Sequence, residues 1–116
     1  MRDNPFTPVV NTDRCTKPRT TGLTMIADWG DPVETQRGHL SVAGPYIDLA
    51  KIAVGIAALL DPQTLKQKID LYTSHDILSF PGGQFLEYSV LRNQTCLYAE
   101  GWSSPKLGYS SVCIGA

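Results

Sequence analysis

At 116 residues, 42% hydrophobic and 18% charged, with a formal net charge of −1, the chain is long enough for one modest domain with a real core. That near-neutral balance leaves no electrostatic footprint for DNA, RNA or an anionic membrane, and no apolar run reaches the roughly 18 residues of a membrane span. The opening MRDNPFTPVVNTDR lacks the apolar core of an export signal, and Cys15, Cys96 and Cys113 show no CxxC spacing. Neither a disulfide framework nor a zinc site is therefore expected, and a cytoplasmic location is the default.

Residues 1–20 read as a polar arm punctuated by Pro5, Pro8 and Pro18, a lead-in partly disordered at its start. Gly22 to Gly30, GLTMIADWG, is the first strand candidate, with Asp28 at its C-terminal end. In DPVETQRGHLSVAG, Asp31 is placed to cap a helix, Pro32 to open it and Glu34 to complete a capping box. Val33, Gln36, Leu40 and Ala43 recur at helical spacing, and Gly44-Pro45 is a left-handed stop followed by a block to continuation. Tyr46 to Gly55, YIDLAKIAVG, is a nearly continuous apolar run, the pattern of a strand buried on both faces of a parallel sheet. Alternation sets Ile47, Leu49, Lys51 and Ala53 on one face and Asp48, Ala50, Ile52 and Val54 on the other.

Ile56 to Leu60 is a short apolar connection. Asp61-Pro62 again reads as cap and first-turn proline, opening a helix with Leu65, Ile69 and Tyr72 on its buried stripe and Lys66, Gln67, Lys68 and Asp70 mainly toward solvent. Ile77 to Phe80 is a third strand, Pro81-Gly82-Gly83 a turn, and Gln84 to Arg92 another helix. The order βαβαβα predicts a parallel sheet with right-handed crossovers. Beyond Asn93 the chain is poor in charge; TCLYAEGW and LGYSSVCIGA are strand-like runs that form either a hairpin over the sheet edge or a loose tail. The expected architecture is α/β, with an arm over 1–20, about three βα units over 21–92 and a divergent tail over 93–116.

In parallel α/β folds, ligands bind where the βα loops gather beyond the carboxyl ends of the strands. Asp28, Lys51 and Gly82-Gly83 fall at or near three such ends. A carboxylate there can hold Mg²⁺, a lysine can stabilise developing negative charge or donate a proton, glycines admit a ligand to the backbone, and Glu87 can complete a metal site. Structural readings stand beside these. Lys51 can snorkel or pair with a neighbouring carboxylate, Asp28 can cap the following turn, Gly82 and Gly83 can serve the turn alone, and Glu87 can lie on an exposed helix face. His39 and His75, without partners at metal spacing, are expected at the surface or at a helix end.

Taken together and in order, TGLTMIADWG, AGPYIDLAKIAVG, DPQTLKQKIDLY and FPGGQFLEYS resemble the phosphosulfolactate synthase family, over roughly Pro18 to Ser89. The resemblance implies a partial (β/α)8 TIM-barrel-like fold and magnesium-dependent addition of sulfite to phosphoenolpyruvate. It further implies Asp28 and Lys51 as catalytic residues, Gly82 and Gly83 as substrate-binding, and Asp28 and Glu87 as ligands of Mg²⁺. Two departures accompany it: Trp29 stands where enzyme members carry lysine, and IAVGIAAL replaces a more polar segment. A full barrel of this type needs about 250 residues. The isolated chain is accordingly expected to be weak or inactive. The alternative is a non-catalytic partial barrel that acts as an assembly or interaction module, with itself or with another protein.

Overall fold

The computed structural model describes residues 5–9 and 15–104. Strand β1 (Met25–Asp28) turns into helix α1 (Val33–Ala43), and a 3-10 turn (Gly44–Tyr46) then feeds strand β2 (Leu49–Ile52). The single-turn helix α2 (Ile56–Leu59) precedes the long helix α3 (Pro62–Ser74), strand β3 (Leu78–Pro81), and helices α4 (Gly83–Leu91) and α5 (Thr95–Trp102). The strands form one parallel sheet in the order β1-β2-β3, with Asp28 opposite Ile52 and Ile52 opposite Pro81. The α/β class and its alternating succession are as the sequence predicted, and the sheet is an arc of a barrel.

Local chemistry accounts for most of the boundaries. Asp61 caps α3 through its carboxylate, which accepts the Thr64 amide at 3.2 Å, and Pro62 takes the first helical position. The predicted stripe of Leu65, Ile69 and Tyr72 is buried. At α1 the anticipated capping box does not form. Pro32 occupies the cap position without a side-chain bond, and its carbonyl accepts the Gln36 amide. Gly44 is right-handed (φ −49°) and continues into the 3-10 turn, so the predicted left-handed stop is also corrected. What crowds a side chain at Gly44 is the His75 ring, 3.1 Å from where a Cβ would stand.

Two further expectations change. The central strand is four residues rather than ten, and it is buried on one face: Ala50 and Ile52 are enclosed, whereas Leu49 and Lys51 are half-buried. The reason is one-sided layering. Leu40, Ile47, Ala50, Leu71, Tyr72 and Ile77 form one core cluster, and Ile52, Leu65, Ile69, Tyr98 and Trp102 a second, both on the helix-covered side of the sheet. TCLYAEGW is helix α5, not a strand, because Tyr98 and Trp102 at i and i+4 face the same core. Tyr98 meets Phe85 edge-on, with ring centroids 5.1 Å apart. The run LGYSSVCIGA lies outside the described residues.

The arm is tied down at the N-terminal ends of the strands. Arg19 Nη1 donates to Asp48 Oδ1 at 2.6 Å, its Nε donates to the Cys15 carbonyl and its Nη2 to the Pro45 carbonyl. Asp48 Oδ2 accepts the Thr24 amide at 2.9 Å. Lys17 Nζ reaches the His75 carbonyl at 2.8 Å, placing a cation at the C-terminus of α3, where the helix dipole favours one. Among the described residues, no helix is long and apolar enough to cross a membrane.

Candidate functional site

All three strands present their C-terminal residues at one end of the sheet, but on different faces. Asp28 is in register with Ile52, so its side chain points to the helix layer, and Lys51, one residue earlier on β2, points to the opposite face. The structure therefore does not bring Asp28 and Lys51 together.

Asp28 is buried and fully engaged. Its Oδ1 accepts the amides of Gly30 at 2.8 Å and Asp31 at 3.3 Å, capping the turn after β1. The turn needs Gly30, whose φ is +96°. Oδ2 accepts the Tyr72 hydroxyl at 2.6 Å and the Lys68 ammonium at 2.9 Å. Burial pushes the Asp28 carboxyl up, but Tyr72, Lys68 and the Gly30 amide together outweigh it and hold the carboxyl below its ordinary range. Burial, then the bond to Asp28, raises the Tyr72 phenol. Lys68, expected on the solvent side of its helix, has no exposure at all. It also donates to the Asp31 carbonyl and to Gln36 Oε1, while Gln36 Nε2 donates back to the Lys68 carbonyl at 2.9 Å. This four-residue network joins β1, α1 and α3, and sequence reasoning missed its centre. The signal was present: position 68 falls three residues after Leu65 and four before Tyr72, on the buried stripe.

Lys51 lies elsewhere, against the opening of α4. A Cβ on Gly82 would stand 3.2 Å from Lys51 Cε, 3.1 Å from the Val54 nitrogen and 3.2 Å from the Ile52 carbonyl. Gly82 is thus the point at which the lysine arm, the loop after β2 and the first turn of α4 converge. Val54 in that loop has φ +44°, an unusual conformation for a β-branched residue. Gly82 caps α4 and Gly83 is its first residue, with no side chain bonded to the cap. The amides of that first turn and the ammonium make an electropositive corner. Among the described residues Lys51 has no ion pair or hydrogen bond of its side chain. Replacing Gly82 with alanine presses a methyl group onto backbone that cannot yield. We expect a loss of about 1–3 kcal/mol, read as a lower denaturation midpoint at unchanged slope in urea.

The remaining candidates are scattered. Glu87 is exposed on α4, beyond β3, two strands away from Asp28. Among the described residues, no group of three or more His, Cys, Asp or Glu side chains could hold a metal ion. With both Asp28 oxygens filled and Glu87 apart, the pair does not fit the Mg²⁺ that the resemblance implies. His39 is largely exposed, with Asp31 Oδ2 3.8 Å away, and His75 ends α3 with Nδ1 3.0 Å from the Leu71 carbonyl.

Compared with known families, residues 12–112 match the model for (2R)-phospho-3-sulfolactate synthase (ComA). The chain belongs to the phosphosulfolactate synthase family. The match runs past Ser89, where the sequence motifs stop, to residue 112. Relatives named phosphosulfolactate synthase include those of Methanocaldococcus jannaschii, 33% identical over 93 residues, and Methanothermobacter thermautotrophicus, 31% identical over 101 residues. These alignments cover 80% and 87% of this chain but only 36% and 38% of the relatives. A Bacillus subtilis phosphosulfolactate synthase is 35% identical over 77 residues, 66% of this chain and 30% of its own. The chain thus spans about a third of the length of the curated relatives it matches. Trp29, the departure at the end of β1, is exposed beside the Asp28 turn.

Proposed function

We propose that this chain supplies the Lys51 pole of a phosphosulfolactate synthase-type site, which adds sulfite to phosphoenolpyruvate. The observation that carries the reading is the packing of the Lys51 arm on Gly82 at the N-terminus of α4. In the reaction the sulfite sulfur bonds to C3 of phosphoenolpyruvate. The π electrons move toward C2 and the conjugated carboxylate, and a proton delivered to C2 completes the product. Negative charge therefore grows on the carboxylate. The Lys51 ammonium and the free amides of α4 are suited to stabilise it, Gly82 and Gly83 letting the anion approach the backbone. Asp28 acts as a scaffold for β1 and its loop, and no step is routed through Mg²⁺ on Asp28 and Glu87.

The test is product formation from phosphoenolpyruvate and sulfite, with and without Mg²⁺. Turnover by this chain alone is expected to be weak. Lys51→Ala should lower it by about 10²–10³, the effect of removing one charge-stabilising donor. Lys66→Ala, which removes only the exposed pair with Asp70, should leave it unchanged. No product at high protein concentration would defeat the catalytic reading. A second reading, an assembly module, is favoured by the sheet face that the described residues leave uncovered, where Met25 and Leu78 are exposed.

A further inference from the structure

Trp29 takes no part in the Asp28 network, yet its place is closely fixed. From Leu23 to Trp29 exposure alternates with period two: Leu23, Met25, Ala27 and Trp29 are exposed among the described residues, while Thr24, Ile26 and Asp28 are partly or fully buried. The indole therefore projects from the face that also carries Lys51, away from the helix layer that holds Asp28. Ala27 is in register with Lys51, so Trp29 lies two residues further toward the carboxyl end of the sheet. At ordinary strand spacing and rise the two α-carbons are about 8 Å apart, a span that an indole and a lysine arm readily bridge. The loop that carries Trp29 is pinned on both sides. Asp28 Oδ1 holds the Gly30 and Asp31 amides, the Lys68 ammonium holds the Asp31 carbonyl, and the Asp28 carbonyl accepts the Ala53 amide at 2.9 Å. A Cβ at Gly30 would stand 3.3 Å from Ile56 Cγ2, so the loop also abuts the turn after β2. A large flat ring on so rigid a loop, at the end of the sheet where ligands bind, is pre-organised for a contact.

We propose that Trp29 is the specificity-determining residue of the Lys51 site: its indole stacks on the flat, conjugated alkene and carboxylate of the substrate while the Lys51 ammonium holds the carboxylate. The proposal rests on the Lys51 reading above and adds to it the selection of planar, unsaturated acids over saturated acids of equal charge. Two features select this ligand class. An indole presents a wide apolar face without charge, so it cannot pair with a phosphate or a carboxylate and gains most from a flat π system laid against it. Lys51, one strand over, supplies the charge complement, so a ligand that spans the two is planar next to its carboxylate. Phosphoenolpyruvate meets both demands, its carbon–carbon double bond being conjugated with the carboxylate. Its saturated counterpart, 2-phospholactate, carries the same groups, but its C2 is tetrahedral and lifts the substituents out of any plane the ring could cover. A Trp29 that served packing alone would show no such preference.

The experiment measures binding of phosphoenolpyruvate and of 2-phospholactate to the 116-residue chain by protection of the Lys51 amine from acetylation, in the wild type, Trp29→Phe and Trp29→Ala. The wild type should bind phosphoenolpyruvate about three- to tenfold more tightly than 2-phospholactate, the size of one stacking contact. Trp29→Phe, which keeps a flat ring, should retain most of that ratio, and Trp29→Ala should bring it close to one. Because Trp29 is 64% exposed, each variant should unfold at the wild-type temperature, which keeps lost stacking apart from lost folding. Phosphoenolpyruvate should also quench indole emission in the wild type and not in Trp29→Phe, where Trp102 alone emits. A ratio unchanged in Trp29→Ala, or emission indifferent to phosphoenolpyruvate while Lys51 is protected, would overturn the stacking and leave the Lys51 reading standing. Failure of both anions to protect Lys51 would overturn that reading, and this proposal with it.

Discussion

Lys68→Ala should cost about 3–5 kcal/mol of folding stability, the characteristic loss when one member of a buried ion pair is removed and the other stays. Lys68 and Asp28 have side chains 0% and 1% exposed, so water cannot replace the missing ammonium. For a domain whose total stability is about 5–15 kcal/mol, that is a large share, visible as a drop in Tm well beyond 10 °C. The double variant Asp28→Ala/Lys68→Ala should lose less than the sum of the two single changes, because it leaves no uncompensated charge. The same network fixes the acid limb of stability. The folded-state pKa of Asp28 lies below its unfolded value, so the native state binds fewer protons and its advantage is present above about pH 4. That advantage is lost as pH falls from there through the folded pKa. Asp28→Asn should flatten this part of a stability-versus-pH curve measured by urea unfolding.

Asp48→Ala is the second large effect, with an expected cost of about 3 kcal/mol. The pair with Arg19 is shielded, the side chains being 4% and 9% exposed, and the variant leaves the guanidinium buried without its carboxylate. The Thr24 amide loses its acceptor at the same time. Because Arg19 also holds the Pro45 and Cys15 carbonyls, the arm should detach as a unit. Hydrogen exchange at Thr24 should rise many-fold, while the amides within α3 change only as far as global stability falls. If exchange at Thr24 stays slow, the arm is held by something other than this pair.

How much of this was readable in advance differs from residue to residue. The succession of elements followed from period and punctuation: Asp61-Pro62 announces α3, and Leu65, Ile69 and Tyr72 mark its buried face. Lys51 at a strand end near Gly82 could be read from the order of elements alone. The face on which Asp28 sits could not, since it depends on pairing register. A slip of one residue would turn its carboxylate from Tyr72 to the side of Lys51, and nothing local in MIAD and LAKI fixes that choice. Lys68 was misread for another reason. Its position satisfied the buried spacing while its type argued for solvent, and only the unseen Asp28 and Gln36 resolve the conflict. Helix α5 reads as a strand in the sequence because the eight residues TCLYAEGW are too few for periodicity to separate the two, and tertiary packing of Tyr98 and Trp102 decides.

The two lysines are proposed to have opposite roles: Lys68 is locked beneath the sheet with Asp28, and Lys51 receives an anion at the α4 corner. Amine acetylation followed residue by residue by mass spectrometry tests this assignment directly, with and without phosphoenolpyruvate. Lys51 should modify under native conditions and be slowed by phosphoenolpyruvate, Lys66 should modify with or without it, and Lys68 should modify only when the chain unfolds. Rapid labelling of Lys68 in the folded chain, or labelling of Lys51 that phosphoenolpyruvate leaves untouched, would contradict it.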